Sequence, residues 1–328
     1  MDKKFILRRE EVYNDEMPIA KIVNKYNRDL ITNNDEYIYI TTEKYNNKIE
    51  YNNNQMLSFT KFLNNKNISL SNRDYEKIKE YFNFGNDRFI NNELRDIIYE
   101  YELMRDKDLY LNDYKYTFQI LPYINNQNPR FCYFIGGKSG SGKSYTIARL
   151  LHQYNFYFKN SPIYLISEKE NDENYKDIKN LERINKEELI NLYDDLSPYL
   201  YFKSDTGQSL VICDDIEIYK KDKNFSEILT KVMDSIITVG RSSGISFIYV
   251  NHGLVNMSQS NISLILFEST RIIIFPESTI KSQLKYFLEK RLMLDNDIIN
   301  RILKLNSKQC TIDTISKCII SDNEIFFF

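Results

Sequence analysis

Gly137, Gly142, Lys143 and Ser144 stand in the stretch GKSGSGKS at the spacing G-x-x-x-x-G-K-[ST], which is the spacing that wraps a polyphosphate in backbone N–H groups. A backbone can close on phosphate oxygens only where side chains are absent. Gly137, Gly140 and Gly142 meet that need, and their freedom to take positive φ suits a tight anion nest. The Lys143 ammonium reaches β and γ oxygens, the Ser144 hydroxyl is a magnesium ligand, and a helix starting near Lys143 points its positive end at the phosphates. The run Gly137, Lys138, Ser139, Gly140, Ser141, Gly142, Lys143, Ser144 and Tyr145 is therefore the candidate site for ATP and Mg2+, with Lys138 read as a solvated loop lysine.

A second constellation lies in SLVICDDIE at residues 209–217. Four apolar residues, Leu210 to Cys213, predict a buried strand that presents Asp214 and Asp215 at its carboxyl end. Downstream of a phosphate loop this reads as a Walker B site. Asp214 holds magnesium, directly or through water, and Asp215 orients and deprotonates the attacking water. Glu217 is the alternative base, because alternation along a strand sets it on the same side as Asp215.

Three further residues are candidates for the same chemistry. ISFIYV predicts a strand ending in Asn251 and His252, and Asn251 at its tip is placed either to sense the γ-phosphate through the attacking water or to cap a turn before Gly253. His252 reads as structural or substrate-facing. Arg241 and Arg271 bracket the fourth and fifth core strands, and each is a candidate arginine finger reaching a neighbouring subunit's nucleotide. A salt-bridged surface arginine is the equally good alternative for both.

The elements that must position these groups follow from periodicity. FCYFI, PIYLIS, LVIC, ISFIYV and RIIIF predict buried strands separated by helices, among them YTIARLLHQY and NFSEILTKVMDSIITVG. Asn224 is the expected cap of the second helix and Gly240 its expected end. Apolar strands alternating with helices predict an α/β fold with a mostly parallel sheet and helices on both faces. QCTIDTI and KCIISDNEIFFF predict an edge hairpin. Residues 1–128 form an expected α+β accessory region: a hairpin in YIYITTEKYNNKIEY turning at Asn46-Asn47, helices in SNRDYEKIKEYF (capped by Ser71, with Asp74 in its first turn) and NNELRDIIYEYELM, and a strand in KYTFQILP. Their tyrosines read as packing faces. The turn NNQNP sets the expected boundary, leaving 129–328 as the P-loop domain.

Lys and Arg total 44 against 46 acids, a net charge of -2, so no global attraction to nucleic acid exists and any DNA surface is local. The densest basic helix carries Lys281, Lys285, Lys290 and Arg291. Cys132, Cys213, Cys310 and Cys318 lie in or beside apolar runs without metal-ligand spacing, which predicts core thiols in a reducing setting. Neither a signal peptide nor a membrane-spanning stretch is evident.

Taken in order, GGKSGSGKS, IYLIS, SLVICDDIE, GRSSGISFIYVNH and TRIIIFP resemble the DNA-packaging ATPases of large double-stranded DNA viruses, in the FtsK/HerA superfamily. The resemblance covers roughly residues 130–276, and GRSSGISFIYVNH is its most family-specific part. Asn251 stands where relatives often carry Gln, and Asp215 where cellular members carry Glu. The resemblance implies an additional-strand ATPase sheet with Walker B beside the P-loop strand, a homo-oligomeric ring acting on double-stranded DNA, and contact with capsid or portal proteins in host cytoplasm, viral factory or virion. The competing expectation is a nucleotide-gated assembly protein that binds ATP with little turnover.

Overall fold

The computed structural model describes residues 4–8, 18–24, 36–41, 55–84, 88–105, 108–111, 115–122, 130–169, 172–195, 198–254 and 262–328. Its N-terminal part holds strands β1 (Lys4–Arg8), β2 (Pro18–Asn24) and β3 (Glu36–Thr41), then helices α1 (Gln55–Lys66), α2 (Asn72–Phe84) and α3 (Asn92–Arg105). Short strand β4 (Asp108–Tyr110) and strand β5 (Tyr116–Ile120) lead into the P-loop region. There β6 (Cys132–Gly136), α4 (Lys143–Tyr157), β7 (Ile163–Ile166), β8 (Leu181–Ile184), α5 (Lys186–Asp195), α6 (Pro198–Tyr201) and β9 (Ser209–Cys213) follow. The chain continues through α7 (Lys223–Thr238), β10 (Ile245–Asn251), α8 (Ile262–Glu268), β11 (Arg271–Ile274), α9 (Lys281–Tyr286), α10 (Asn296–Leu303), β12 (Cys310–Asp313), β13 (Cys318–Ser321) and β14 (Glu324–Phe327).

Ten strands make one sheet in the order β4-β14-β13-β12-β11-β6-β10-β9-β7-β8. The six from β11 to β8 are parallel, as buried apolar runs joined by helical crossovers require, and the other four add on antiparallel. Strand β10 lies between the P-loop strand β6 and the Walker B strand β9, pairing with both. Walker B is thus one strand removed from the P-loop strand, not beside it. The expected C-terminal edge hairpin is a three-stranded meander, and β4 takes the edge.

One face of the sheet packs on α5, α7, α8, α9 and α10 through a core that includes Val232, Ile236, Phe287 and Ile302. The other face is not covered by helices alone. Helix α4 shares it with a second sheet, β1-β3-β2-β5, whose Phe5, Ile19, Ile38 and Phe118 join Tyr133, Ile135, Leu151 and Ile248 in one core. Helices α1 to α3 bury a satellite cluster around Phe59, Ile78 and Leu94, with the Tyr101 ring edge-on to Phe59 at 5.1 Å, so that tyrosine packs as expected. Ser71 caps α2 as predicted: its Oγ accepts from Asp74 N at 3.2 Å.

Strand pairing and hydrogen bonds cross the expected boundary at residue 128. Strand β4 belongs to the large sheet, and Asp322 O accepts from Phe118 N at 3.0 Å and from the Thr117 hydroxyl at 2.9 Å. The Asn46-Asn47 and NNQNP turns lie outside the described residues. Helix α7 is capped by Asp222, whose carboxylate accepts from Phe225 N at 3.1 Å, rather than by Asn224. Gly240 opens a 3-10 turn instead of closing the helix. The helix expected over IKSQLKYFLEKRLML starts as α9 and widens into a π-turn over Phe287–Arg291.

Candidate nucleotide site

Strand β6 ends at Gly136, α4 begins at Lys143, and the connecting loop holds Gly140 at φ 77° and Gly142 at φ 103°. Those left-handed values favour glycine. Gly137 serves a different need, because a Cβ there would meet Ser141 Oγ at 2.7 Å and the Phe275 ring at 2.8 Å. Lys138, Ser139 and the Tyr145 ring are exposed, and the Arg149 guanidinium lies 5.7 Å from that ring. Ser141 Oγ, in the same loop, is buried with no hydrogen-bond partner. Since α4's first N–H groups also lack intrahelical acceptors, the loop fits a bound polyphosphate.

Lys143 is buried and folded back on its own loop, donating to Gly137 O at 2.8 Å and Lys138 O at 3.1 Å. Asp214, also buried, follows β9. Burial pushes its carboxyl above the usual range, while a hydrogen bond from Tyr175 and the charge of Lys143 oppose the shift. The Tyr175 hydroxyl donates to Asp214 Oδ2 at 2.8 Å. Ser144 stands in the first turn of α4 and Asp214 directly after β9. Two hard oxygen donors, one a desolvated carboxylate, fit a magnesium ion.

Asp215 takes a left-handed backbone, φ 55°, and opens a 3-10 turn over Ile216–Lys221. Strand alternation therefore stops before Glu217, and the inference that set Glu217 on Asp215's side no longer applies. The backbone of Glu217 lies in that turn; its side chain lies outside the described residues. One Asp215 oxygen meets His252 Nε2, and the other lies 3.6 Å from Lys169 Nζ.

At the tip of β10 the geometry matches the turn-capping alternative for Asn251 rather than the sensing one. Asn251 is buried, donates to Gly253 O at 2.6 Å and accepts from the Tyr249 hydroxyl at 3.4 Å, so its side chain serves its own turn. Its carbonyl accepts from Gly137 N at 3.1 Å, fastening the start of the phosphate loop. The residue that faces the site is His252, with Nδ1 3.4 Å from Lys143 Nζ and Nε2 on Asp215.

Neither arginine candidate joins this cluster. Arg271 is 1% exposed; it donates to Asp313 Oδ2 at 2.8 Å, to Ile19 O at 3.2 Å and to Leu121 O. A guanidinium consumed by that buried pair and by the β2 and β5 segments cannot extend to a neighbouring subunit, which removes Arg271 as an arginine finger. Arg241 is exposed, in the 3-10 turn before β10, at the sheet edge opposite the phosphate loop. It therefore takes no part in its own chain's site.

Sequence reasoning did not single out Tyr175 or Lys169, and it read His252 as structural or substrate-facing where the geometry sets it on Asp215 and near Lys143. Tyr175 sits in a charged segment, where nothing marks one tyrosine among the polar residues. For His252 a signal existed: a histidine directly after a strand tip beside Walker B.

No family model matches the chain. Among curated proteins it is similar to "Uncharacterized protein V3" of Sputnik virophage, 26% identical over 195 residues that cover 60% of this chain and 75% of that protein. Among solved structures it is similar to the genome packaging NTPase B204 from Sulfolobus turreted icosahedral virus 2 in complex with ATP-gammaS, at 17% identity and TM-score 0.43, covering 61% of this chain and 98% of that one. It is also similar to the cytoplasmic domain of the Thermomonospora curvata Type VII secretion ATPase EccC, at 13% identity and TM-score 0.40, covering 59% and 25%. The chain thus has an α/β fold with a mostly parallel sheet, in which the phosphate loop after β6 and the paired carboxylates after β9 open at the same edge with β10 between them.

Proposed function

We propose that this chain is an ATP-hydrolysing motor that moves double-stranded DNA and packages a viral genome into its capsid. The observation that carries the ATPase reading is the meeting of Lys143, Asp215 and His252 at the carboxyl edge of β6, β9 and β10. Packaging, within that class, is supported by the resemblance of GRSSGISFIYVNH to the viral packaging ATPases and by a relative from a virophage.

Lys143 leaves its loop carbonyls for phosphate oxygens and neutralises their charge. Magnesium, held by Ser144 and Asp214, would supply further neutralisation of that charge. Asp215 accepts the proton of the attacking water, and His252 orients Asp215 while contacting Lys143, so the phosphate cation and the base are set by one side chain. A homo-oligomeric ring, with Arg241 as the remaining candidate for a finger in trans, and a location in host cytoplasm, viral factory or virion complete the reading. Among the described residues no helix is long and apolar enough to cross a membrane.

A second reading, a nucleotide-gated assembly protein with little turnover, is favoured by the engagement of Asp215 with both His252 and Lys169. Steady-state ATPase with and without duplex DNA decides between the two. Turnover that DNA stimulates and that Lys143→Ala abolishes is the motor's result. Slow turnover indifferent to DNA selects the assembly protein. Unchanged nucleotide binding and turnover in Lys143→Ala would remove the site itself, since that variant deletes the loop's buried cation.

A further inference from the structure

The connection between β7 and β8 looks in sequence like a solvated charge run, yet it delivers one aromatic ring to the nucleotide site. Asp172 caps the 3-10 turn Glu173–Tyr175 by accepting from Asn174 N at 2.9 Å. The Tyr175 ring, 4% exposed, enters the core that α4 occupies with Ile147, Leu150 and Leu151. From there its hydroxyl donates to Asp214 Oδ2 at 2.8 Å, one of the two residues that would hold the cation. A buried carboxylate needs a donor or a cation, and here a neutral phenol meets the need. Asp214 would offer the same oxygen to a divalent ion, which brings charge where the phenol brings a dipole.

We propose that Tyr175 stands in for the cation: its hydroxyl holds the Asp214 carboxylate before a cation-nucleotide complex binds and releases it when one does. The turn at residues 172–178 then moves with the ring. Glu173, Asn174, Lys176 and Asp177 of that turn are exposed, so the state of the cation site is displayed on the surface beside the outermost strand β8. Tyr175 is a positioning residue in this scheme. The inference rests on the nucleotide-site reading above.

Tyr175→Phe keeps the ring and deletes the hydrogen bond to Asp214. Binding of a non-hydrolysable ATP analogue is measured with magnesium chloride and again with EDTA, in the wild-type chain and the variant. Because only the cation-free state loses a hydrogen bond to a charged group, the ratio of affinities with and without magnesium rises about tenfold in the variant. A ratio that stays the same or falls overturns the inference. Hydrogen exchange of the wild-type chain tests it without any substitution: amides at 172–178 change protection with the analogue plus magnesium and not with the analogue plus EDTA. Identical exchange in the two conditions overturns it as well. Absence of analogue binding by the wild-type chain would overturn the nucleotide-site reading along with it, whereas tight binding with an unchanged ratio removes Tyr175's role alone.

Discussion

His252 Nδ1 lies 3.4 Å from Lys143 Nζ, so the residue that follows β10 touches the cation of the phosphate loop while its other ring nitrogen meets Asp215. Asn251, one residue earlier, turns into its own backbone. The two substitutions should therefore separate. His252→Ala is expected to slow hydrolysis by roughly 10²-fold with little change in nucleotide affinity, the scale of losing a group that positions a base. Asn251→Ala is expected to lower folding stability by ~1–3 kcal/mol in a urea melt, because buried partners lose their bonds. A stable Asn251→Ala chain with collapsed turnover would return the sensing role to Asn251.

Asp215 and Glu217 divide on conformation. Asp215 is held at φ 55° with both oxygens engaged, a strained backbone placed where chemistry is expected. Asp215→Asn should keep nucleotide binding and slow turnover by ~10²-fold or more. Glu217→Gln, in the turn beyond it, should leave turnover within a few-fold of the wild-type rate. Single-turnover measurements on both variants assign the base, and the reverse pattern would move it to Glu217.

Arg271 makes a structural prediction. Its pair with Asp313 is buried on both sides, and its other donors hold carbonyls of β2 and of the segment after β5. Removing the cation leaves Asp313 buried and uncompensated, so Arg271→Ala should cost about 3–5 kcal/mol of stability. An arginine finger would behave otherwise: the variant would fold normally and lose turnover, and wild-type subunits mixed in would restore it. Chemical denaturation beside a subunit-mixing ATPase assay distinguishes the two. By the same geometry, a chain beginning at residue 129 should not fold, since it exposes the sheet face that Ile19, Ile38 and Phe118 cover.

What the sequence made legible follows from how each segment is buried. Strands β6, β7, β9, β10 and β11 are covered on both faces and read as unbroken apolar runs, and the phosphate loop between β6 and α4 needs glycines that no other arrangement requires. Strand β8, LERI, lies at the sheet edge with only Ile184 buried, and its charged pair hid it. Arg271 was misread because its partner Asp313 is distant in sequence and belongs to an antiparallel neighbour, β12. The covering sheet β1-β3-β2-β5 joins strands from distant parts of the N-terminal region, and no local pattern announces such a pairing.

The last prediction concerns DNA. With a net charge of -2, a DNA motor must gather its cations on one surface. Lys281 and Lys285 are exposed one helical turn apart on α9, so they share a face, while Lys290 is paired to Glu289 at 2.8 Å and Arg291 follows in the π-turn. Lys290 therefore offers less to a phosphate than the sequence count suggests, and the stripe reduces chiefly to Lys281 and Lys285. In a ring such contacts add across subunits, so two lysines per chain can hold a duplex with steep salt dependence. The double substitution Lys281→Glu and Lys285→Glu should weaken duplex binding and reduce the slope of log affinity against log salt by about 2 per contacting subunit. ATPase measured without DNA should not change, because neither lysine touches the phosphate loop, Asp215 or His252. If duplex affinity and salt slope are the same in the double variant as in the wild-type chain, α9 is not the DNA surface, and the exposed basic residues of α2 and α3, Arg73, Lys79 and Arg95, become the ones to replace.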